Sequence, residues 1–141
     1  MQVIKHFTDE YKQVFASVSI DAENQFLMCS WREPNTSPEL FPLLHYCEQA
    51  FKALGLKYVL SDITVCQPKA QARVQKEMLA GFTKTGFCKV AFVNRALNCP
   101  ALDQQENVDV MYFQQLPLAI EWFFLPKLED EAWEDLDVME F

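Results

Sequence analysis

The stretch YVLSDITVCQPKAQARV, residues 58–74, holds four side chains whose types and spacing could do chemistry. Ser61 and Thr64 carry hydroxyls that could form a phosphorylation switch. Asp62 could act as a general base, and Cys66, just before a predicted helix, could be activated by the helix dipole. In many α/β proteins, the connection after such a strand is where ligands bind or a hydroxyl is modified. This segment is therefore the first candidate for a functional site.

The same side chains also have structural interpretations, and these are favoured. A carboxylate at the end of a strand more often caps nearby backbone N–H groups than it catalyses a reaction. Cys66 has no evident base partner. Ser61 falls inside the predicted strand, on the face opposite Asp62, where we expect it to be buried or hydrogen-bonded in the sheet. No catalytic residue is predicted, and an enzyme that uses Asp62 and Cys66 is the least favoured interpretation.

The composition excludes several classes of function. A net charge of −8 argues against nucleic-acid binding by phosphate neutralisation. No apolar run approaches the roughly 20 residues of a membrane span, and the N-terminal MQVIKHFTDE lacks the basic and apolar regions of a signal peptide. With only three glycines and no phosphate-binding glycine motif, the chain is predicted to use no cofactor.

The five cysteines are widely scattered and form no C-x-x-C pair. Most lie in or beside apolar segments, where a free cysteine behaves as a small hydrophobe. An odd count in such settings indicates a reducing cytoplasm. No metal site is predicted, because His45 and Cys47 are two residues apart on a predicted helix and point in different directions. The full set is Cys29, Cys47, Cys66, Cys88 and Cys99.

Hydrophobic periodicity predicts alternating strands and helices. Two β-like runs, 12–21 and 25–33, surround a short turn and indicate a hairpin. Ser37 begins a helix-start signal and Gly55 is a stop signal, with Pro42 expected to delay the regular helix. Further strands are predicted at 57–63, 87–93 and 108–113, and further helices at 69–84 and 115–124, with a short helix from Pro100.

The predicted sheet is mixed and mostly parallel, because helices separate most consecutive strands. Its strands are nearly continuous apolar runs, which is typical of sheets covered on both faces. If the strands pair in sequence order, right-handed crossovers place the helices mainly on one face. The other face must then be covered by the N-terminal segment, the C-terminal tail or a second subunit, and we expect a homodimer with a contiguous apolar interface.

The last fifteen residues, 127–141, are predicted to be an acidic tail that follows one domain, 1–126. The tail contains seven acids and one lysine, so it carries −6 of the total charge of −8. Its apolar residues Trp133, Leu136 and Met139 are spaced by three and form one edge. The tail is either a solvated terminus or a segment whose apolar edge docks onto the domain or onto a basic partner.

The hairpin that ends in a tryptophan, and the segments LSDIT, GFCKVAFV, VDVMYF and LPLAIEWFF, are similar to a family of small bacterial proteins with the STAS fold. This is the fold of the anti-sigma-factor antagonists, also called SpoIIAA-like. The resemblance spans about residues 13–125 and is most specific at Lys57–Asp62, Gly86–Val93 and Val108–Trp122. It implies an α/β domain with a single mixed, mostly parallel sheet, an N-terminal hairpin and βα units.

The resemblance implies an activity only in outline. True antagonists are phosphorylated on a serine at the start of the helix after the Asp-ending strand, and they bind a kinase-like anti-sigma factor. In this chain the segment reads DITVCQPK, without the D-S-S-G type of motif, and Gln67 stands where a hydroxyl is expected. The resemblance therefore implies a protein-interaction module that lacks the usual serine switch.

The predicted function is a non-catalytic regulatory module that presents the 62–68 loop and the adjoining helix to an unknown protein partner. Its predicted contact residues are Asp62, Thr64, Cys66, Gln67 and Lys69. The alternative is a domain that binds a small apolar ligand or a lipid. That alternative would use Trp31, Trp122 and the Phe-rich last helix to line a pocket.

Overall fold

A computed structural model describes residues 1–32, 37–64, 68–84, 88–95 and 108–125, with the side chains of 37–39 and 68–69 left undescribed. Within these ranges the chain forms six strands and three helices. In order they are β1 (Gln2–Thr8), β2 (Val14–Asp21), β3 (Phe26–Trp31), α1 (Ser37–Ala53), β4 (Tyr58–Asp62), α2 (Pro68–Phe82), β5 (Cys88–Val93), β6 (Val108–Phe113) and α3 (Leu116–Phe123).

The strands form one mixed sheet in the order in which they occur in the chain, from β1 to β6. β1, β2 and β3 pair antiparallel, whereas β3, β4, β5 and β6 pair parallel. The predicted hairpin, strands and mixed α/β sheet are confirmed. The predicted short helix from Pro100 lies outside the described residues.

Strand β1 was not predicted, because its apolar residues do not alternate. Its pairing with β2 is irregular between Val3 and Lys5, so Ile4 is an extra residue without a partner in the register. Ile4 and Phe7 both pack against the core, whereas Val3 is 51% exposed. A bulge of this kind lets Ile4 and Phe7, which are three residues apart, face the same side of the sheet, and this hides the period-two pattern.

The two faces of the sheet carry separate hydrophobic clusters. Val59 and Val90 are neighbours in register and belong to the larger cluster, which lies under α1 and α2. The next pair along the same strands, Leu60 and Ala91, belongs to the smaller cluster. Because successive side chains of a strand point to opposite faces, the two clusters lie on opposite sides of the sheet.

Helix α3 lies on the face opposite α1 and α2, where the sequence predicted the N-terminal segment, the tail or a second subunit. Its Ala119 and Phe123 pack against Phe26 of β3 and Leu60 of β4 in the smaller cluster. Part of the face assigned to a dimer interface is therefore covered by the chain itself. Homodimerisation stays a prediction.

Helix α1 begins at Ser37 and ends at Ala53, close to the predicted limits. Gly55 has a φ of +63°, and the backbone N–H of Leu56 bonds to the carbonyl of Phe51, so the predicted glycine stop is confirmed. The expectation that Pro42 delays the helix was wrong, since Pro42 lies inside it. Pro42 removes one backbone hydrogen bond, but the fixed φ of a proline, about −65°, is itself helical, so the helix continues through it.

None of the helices in the described part of the chain has the length and apolar character needed to cross a bilayer. The described cysteines, Cys29, Cys47 and Cys88, are all buried, as expected for small hydrophobes in apolar segments.

Candidate functional site

The turn after β4 is held in shape by the side chain that ends the strand. Asp62 Oδ1 accepts a hydrogen bond from the backbone N–H of Thr64 at 3.1 Å. Asp62 is half-buried and lies at the carboxyl end of a central parallel strand. This is the capping role predicted for the carboxylate, and it is local because only two residues separate donor and acceptor.

Ile63, in the middle of the turn, is fixed from both sides. Its backbone N–H donates to the carbonyl of Val93 at the end of β5, at 2.9 Å. Its carbonyl accepts a hydrogen bond from Gln71 Nε2 of α2 at 3.2 Å. The Ile63 side chain is fully buried in the larger cluster. The turn is thus tied to the neighbouring strand and to the helix that follows it.

Thr64 connects the turn to the segment that leaves β5. Its Oγ1 accepts a hydrogen bond from the backbone N–H of Arg95 at 3.2 Å. The Arg95 side chain is exposed and that of Thr64 is partly exposed. The carboxyl ends of β4 and β5 therefore form one small polar surface.

Beneath this surface lies a buried polar cluster that sequence reasoning missed. Asn94 Nδ2 donates to Gln71 Oε1 at 3.3 Å, and the Tyr112 hydroxyl donates to Gln75 Oε1 at 2.6 Å. Both glutamines are buried, one helical turn apart, on the face of α2 that also carries Val74 and Met78. Two glutamines inside an apolar helical stripe were the signal that could have identified the cluster.

One donor of this cluster is unsatisfied. Among the buried side-chain nitrogen and oxygen atoms of the described ranges, Gln75 Nε2 has no hydrogen-bond partner. Leaving such a group unpaired costs about 1–3 kcal/mol.

Ser61 is not part of the exposed surface. It is fully buried in β4, where its Oγ accepts a hydrogen bond from Trp31 Nε1 at 2.8 Å. Its side chain lies on the face opposite Asp62, as the sequence predicted. A kinase could reach this hydroxyl only after the sheet had opened.

A row of polar residues crosses the face of the sheet opposite α1 and α2. His6, Ser17, Ser30 and Asp62 are successive partners in register across β1 to β4. His6 Nδ1 lies 2.9 Å from Ser17 Oγ. Asp62 is three strand spacings, about 14 Å, from His6. Because that carboxylate cannot orient the imidazole, the row does not form a Ser-His-Asp catalytic triad.

Several predicted site residues cannot be placed. Cys66 and Gln67 lie outside the described residues, as do Trp133, Leu136 and Met139 of the tail. Lys69 lies in the first turn of α2, and its side chain is not described. Of the five predicted contact residues, the structure therefore brings together Asp62 and Thr64.

No protein family, curated protein or solved structure matches this chain. The resemblance to STAS proteins accordingly remains an interpretation of the sequence motifs.

Proposed function

We propose that this chain is a STAS-like protein-interaction module with a regulatory, non-catalytic role. The contact surface consists of the Asp62–Thr64 turn, Arg95 and the exposed side of α2, and we name it the carboxyl-edge surface. Its occupant is a partner protein.

The observation that carries this proposal is the double attachment of Thr64. Its N–H is bound by Asp62 and its hydroxyl by the backbone N–H of Arg95, while the intervening Ile63 is tied to β5 and α2. A turn held in this way loses little conformational entropy when a partner binds. Preorganised polar groups on a rigid sheet edge favour recognition.

The hydrogen bonds made by Asp62 and Ser61 also favour a binding role over a catalytic role. Asp62 is used as a cap, and its neighbour Ser61 is buried beneath Trp31. A phosphate on Thr64 would lie near the Asp62 carboxylate, and this repulsion opposes a switch at that position. Gln67 stands where the resemblance leads one to expect a hydroxyl. These features support a binding surface without a phosphorylation switch.

The alternative, an apolar-ligand or lipid carrier, depends on aromatic side chains, of which Trp31 and Phe123 are used in packing whereas Phe124 is 54% exposed. Trp31 is 2% exposed and hydrogen-bonded to Ser61. Phe123 is 1% exposed, and its ring stacks on Tyr58 with centroids 4.9 Å apart. The burial of Trp31 and Phe123 supports the interaction module over the carrier.

The test is affinity purification of the full chain from its native host, comparing Arg95→Glu with wild type. The Arg95 contact to Thr64 is made by the backbone, so reversing the side-chain charge alters the surface and leaves the turn intact. The matched control is Lys57→Glu, an exposed reversal beside the amino end of β4. We expect a partner that is retained by wild type and Lys57→Glu and lost by Arg95→Glu. Equal recovery with all three chains would contradict the proposed surface.

A further inference from the structure

The outer side of α2 is basic in a chain whose overall charge is strongly negative. Residues 68–84 contain four basic residues and one acid, a net charge of +3. Lys69, Arg73 and Lys76 fall within an arc of about 60° on the helix. Lys76 is exposed, Arg73 is partly exposed, and Lys84, just past the helix end, is exposed. We call this set the basic face of α2.

The basic face also offers a shallow apolar surface. Ala72 and Ala80 are exposed and lie one turn on either side of Lys76. Small side chains at these positions leave room for larger apolar side chains of a docked segment to rest between the basic residues. A complementary segment would therefore be acidic and would carry a few large apolar residues along one edge.

The chain itself contains such a segment. Residues 127–141 hold seven acids and one lysine, and Trp133, Leu136 and Met139 follow at intervals of three. The tail carries −6 against +3 on residues 68–84, so the two are electrostatically complementary.

The fold brings the start of the tail to the end of the sheet where α2 finishes. The carbonyl of Leu125 accepts a hydrogen bond at 2.7 Å from Lys89 Nζ, and Lys89 is the second residue of β5. Lys84 is five residues before Lys89, so their Cα atoms are at most about 18 Å apart. The eight residues from Leu125 to Trp133 can span about 26–29 Å. The tail can therefore pass round the sheet to Lys84, and residues 134–141 are long enough to cover the further distance of about 12 Å along α2 to Lys76.

We propose that the basic face of α2 is a docking surface for residues 127–141 of the same chain. The docked tail covers the helical part of the carboxyl-edge surface, so a partner must displace it. Only the competition between the tail and a partner protein rests on the proposed function. The docking itself follows from charge, shape and reach.

Zero-length carbodiimide cross-linking of the full chain tests the docking, because it joins lysines only to carboxylates in direct contact. Links from tail acids to Lys76 and Lys84 are quantified by peptide mass spectrometry. Each yield is normalised to the reactivity of that lysine towards an amine reagent. Lys57 is the matched control, since it is exposed and lies at the same end of the sheet as the tail start.

Docking predicts intrachain links to Lys76 at about three times or more the yield at Lys57 in low salt. In about 0.5 M salt the ratio should fall towards one, because exposed charges are screened. The double variant Leu136→Ser, Met139→Ser should lower the ratio while every acid is retained. Equal yields at Lys76 and Lys57, or links that occur only between two chains, would overturn the proposal.

The test of tail docking and the test of the proposed function can fail independently of each other. If Lys76 shows no preference while Arg95→Glu still loses its partner, the docking fails and the interaction module stands. If Lys76 is preferred while Arg95→Glu retains every partner, the docking stands and the carboxyl-edge surface fails.

Discussion

Trp31 donates a hydrogen bond from its indole nitrogen to Ser61 Oγ, 2.8 Å away, where both side chains are almost fully buried. The bond joins neighbouring parallel strands on the face covered by α1 and α2. It satisfies two polar groups that would otherwise be unpaired in the core. The serine hydroxyl of β4 is thereby given to the core, and the partly exposed turn that follows is left to Asp62 and Thr64.

We expect Ser61→Ala to destabilise the fold by about 1–3 kcal/mol, because the Trp31 indole N–H would be buried without an acceptor. In a Trp31→Phe background the same substitution should cost almost nothing, since the donor is gone. Chemical denaturation of the four proteins of this double-mutant cycle gives the coupling energy. A coupling indistinguishable from zero would mean that the hydrogen bond contributes nothing to stability.

For Asp62→Ala we expect a loss of about 1–2 kcal/mol in the free energy of unfolding, because the Thr64 N–H loses its cap. Asp62→Asn should retain most of that stability, since an amide oxygen can accept the same hydrogen bond. Urea denaturation measures both variants. An activity that disappears in Asp62→Ala at unchanged stability would instead show that the carboxylate is catalytic.

Lys89 should be essential for the position of α3. It is 6% exposed, and its ammonium donates to the carbonyls of Trp122, Phe123 and Leu125 at the end of the helix. Lys89→Met should cost about 2 kcal/mol or more, because these carbonyls lose a charged donor.

The matched control for this substitution is Lys57→Met, at the exposed amino end of the neighbouring strand, which should change stability by no more than about 0.5 kcal/mol. Amide hydrogen exchange should show faster opening of α3 in the Lys89 variant alone. Similar exchange in the two variants would remove Lys89 from this role.

The hairpin turn should show a pH dependence centred on Asp21. The backbone N–H of Asn24, and then its side-chain amide, donate to the Asp21 carboxylate and lower its pKa below the ordinary 3.8. A lowered pKa in the folded state means that the stabilisation is present above the unfolded pKa and is lost as the pH falls through the folded pKa. NMR titration should find this lowered pKa, and Asn24→Ala should raise it part of the way. A pKa at or above 3.8 in the native chain would contradict the assignment.

Local signals predicted much of the fold. The hairpin followed from apolar alternation on either side of a short turn, and the end of α1 followed from Gly55. The Asp62 cap was also predictable, because donor and acceptor are two residues apart. Each of these features depends on neighbours in the sequence, and such features are the ones that residue patterns encode.

The placement of α3 and the completed site could not be predicted in the same way. The apolar side of α3 would fit either face of the sheet, and its position depends on Lys89, which is 36 residues from Leu125. The contact between Thr64 and Arg95 spans 31 residues and uses a backbone N–H that every residue except proline possesses. Sequence alone carries no signal for such long-range pairing.

Photo-cross-linking of the full chain in its native host tests the contact surface directly. A photoreactive amino acid replaces exposed Arg95 in one protein and exposed Lys57 in the other. A contact surface at the carboxyl ends of β4 and β5 predicts a discrete adduct with one partner protein from position 95 and none from position 57. No adduct from position 95, or the same adducts from both positions, would show that the carboxyl ends of β4 and β5 do not form this contact surface.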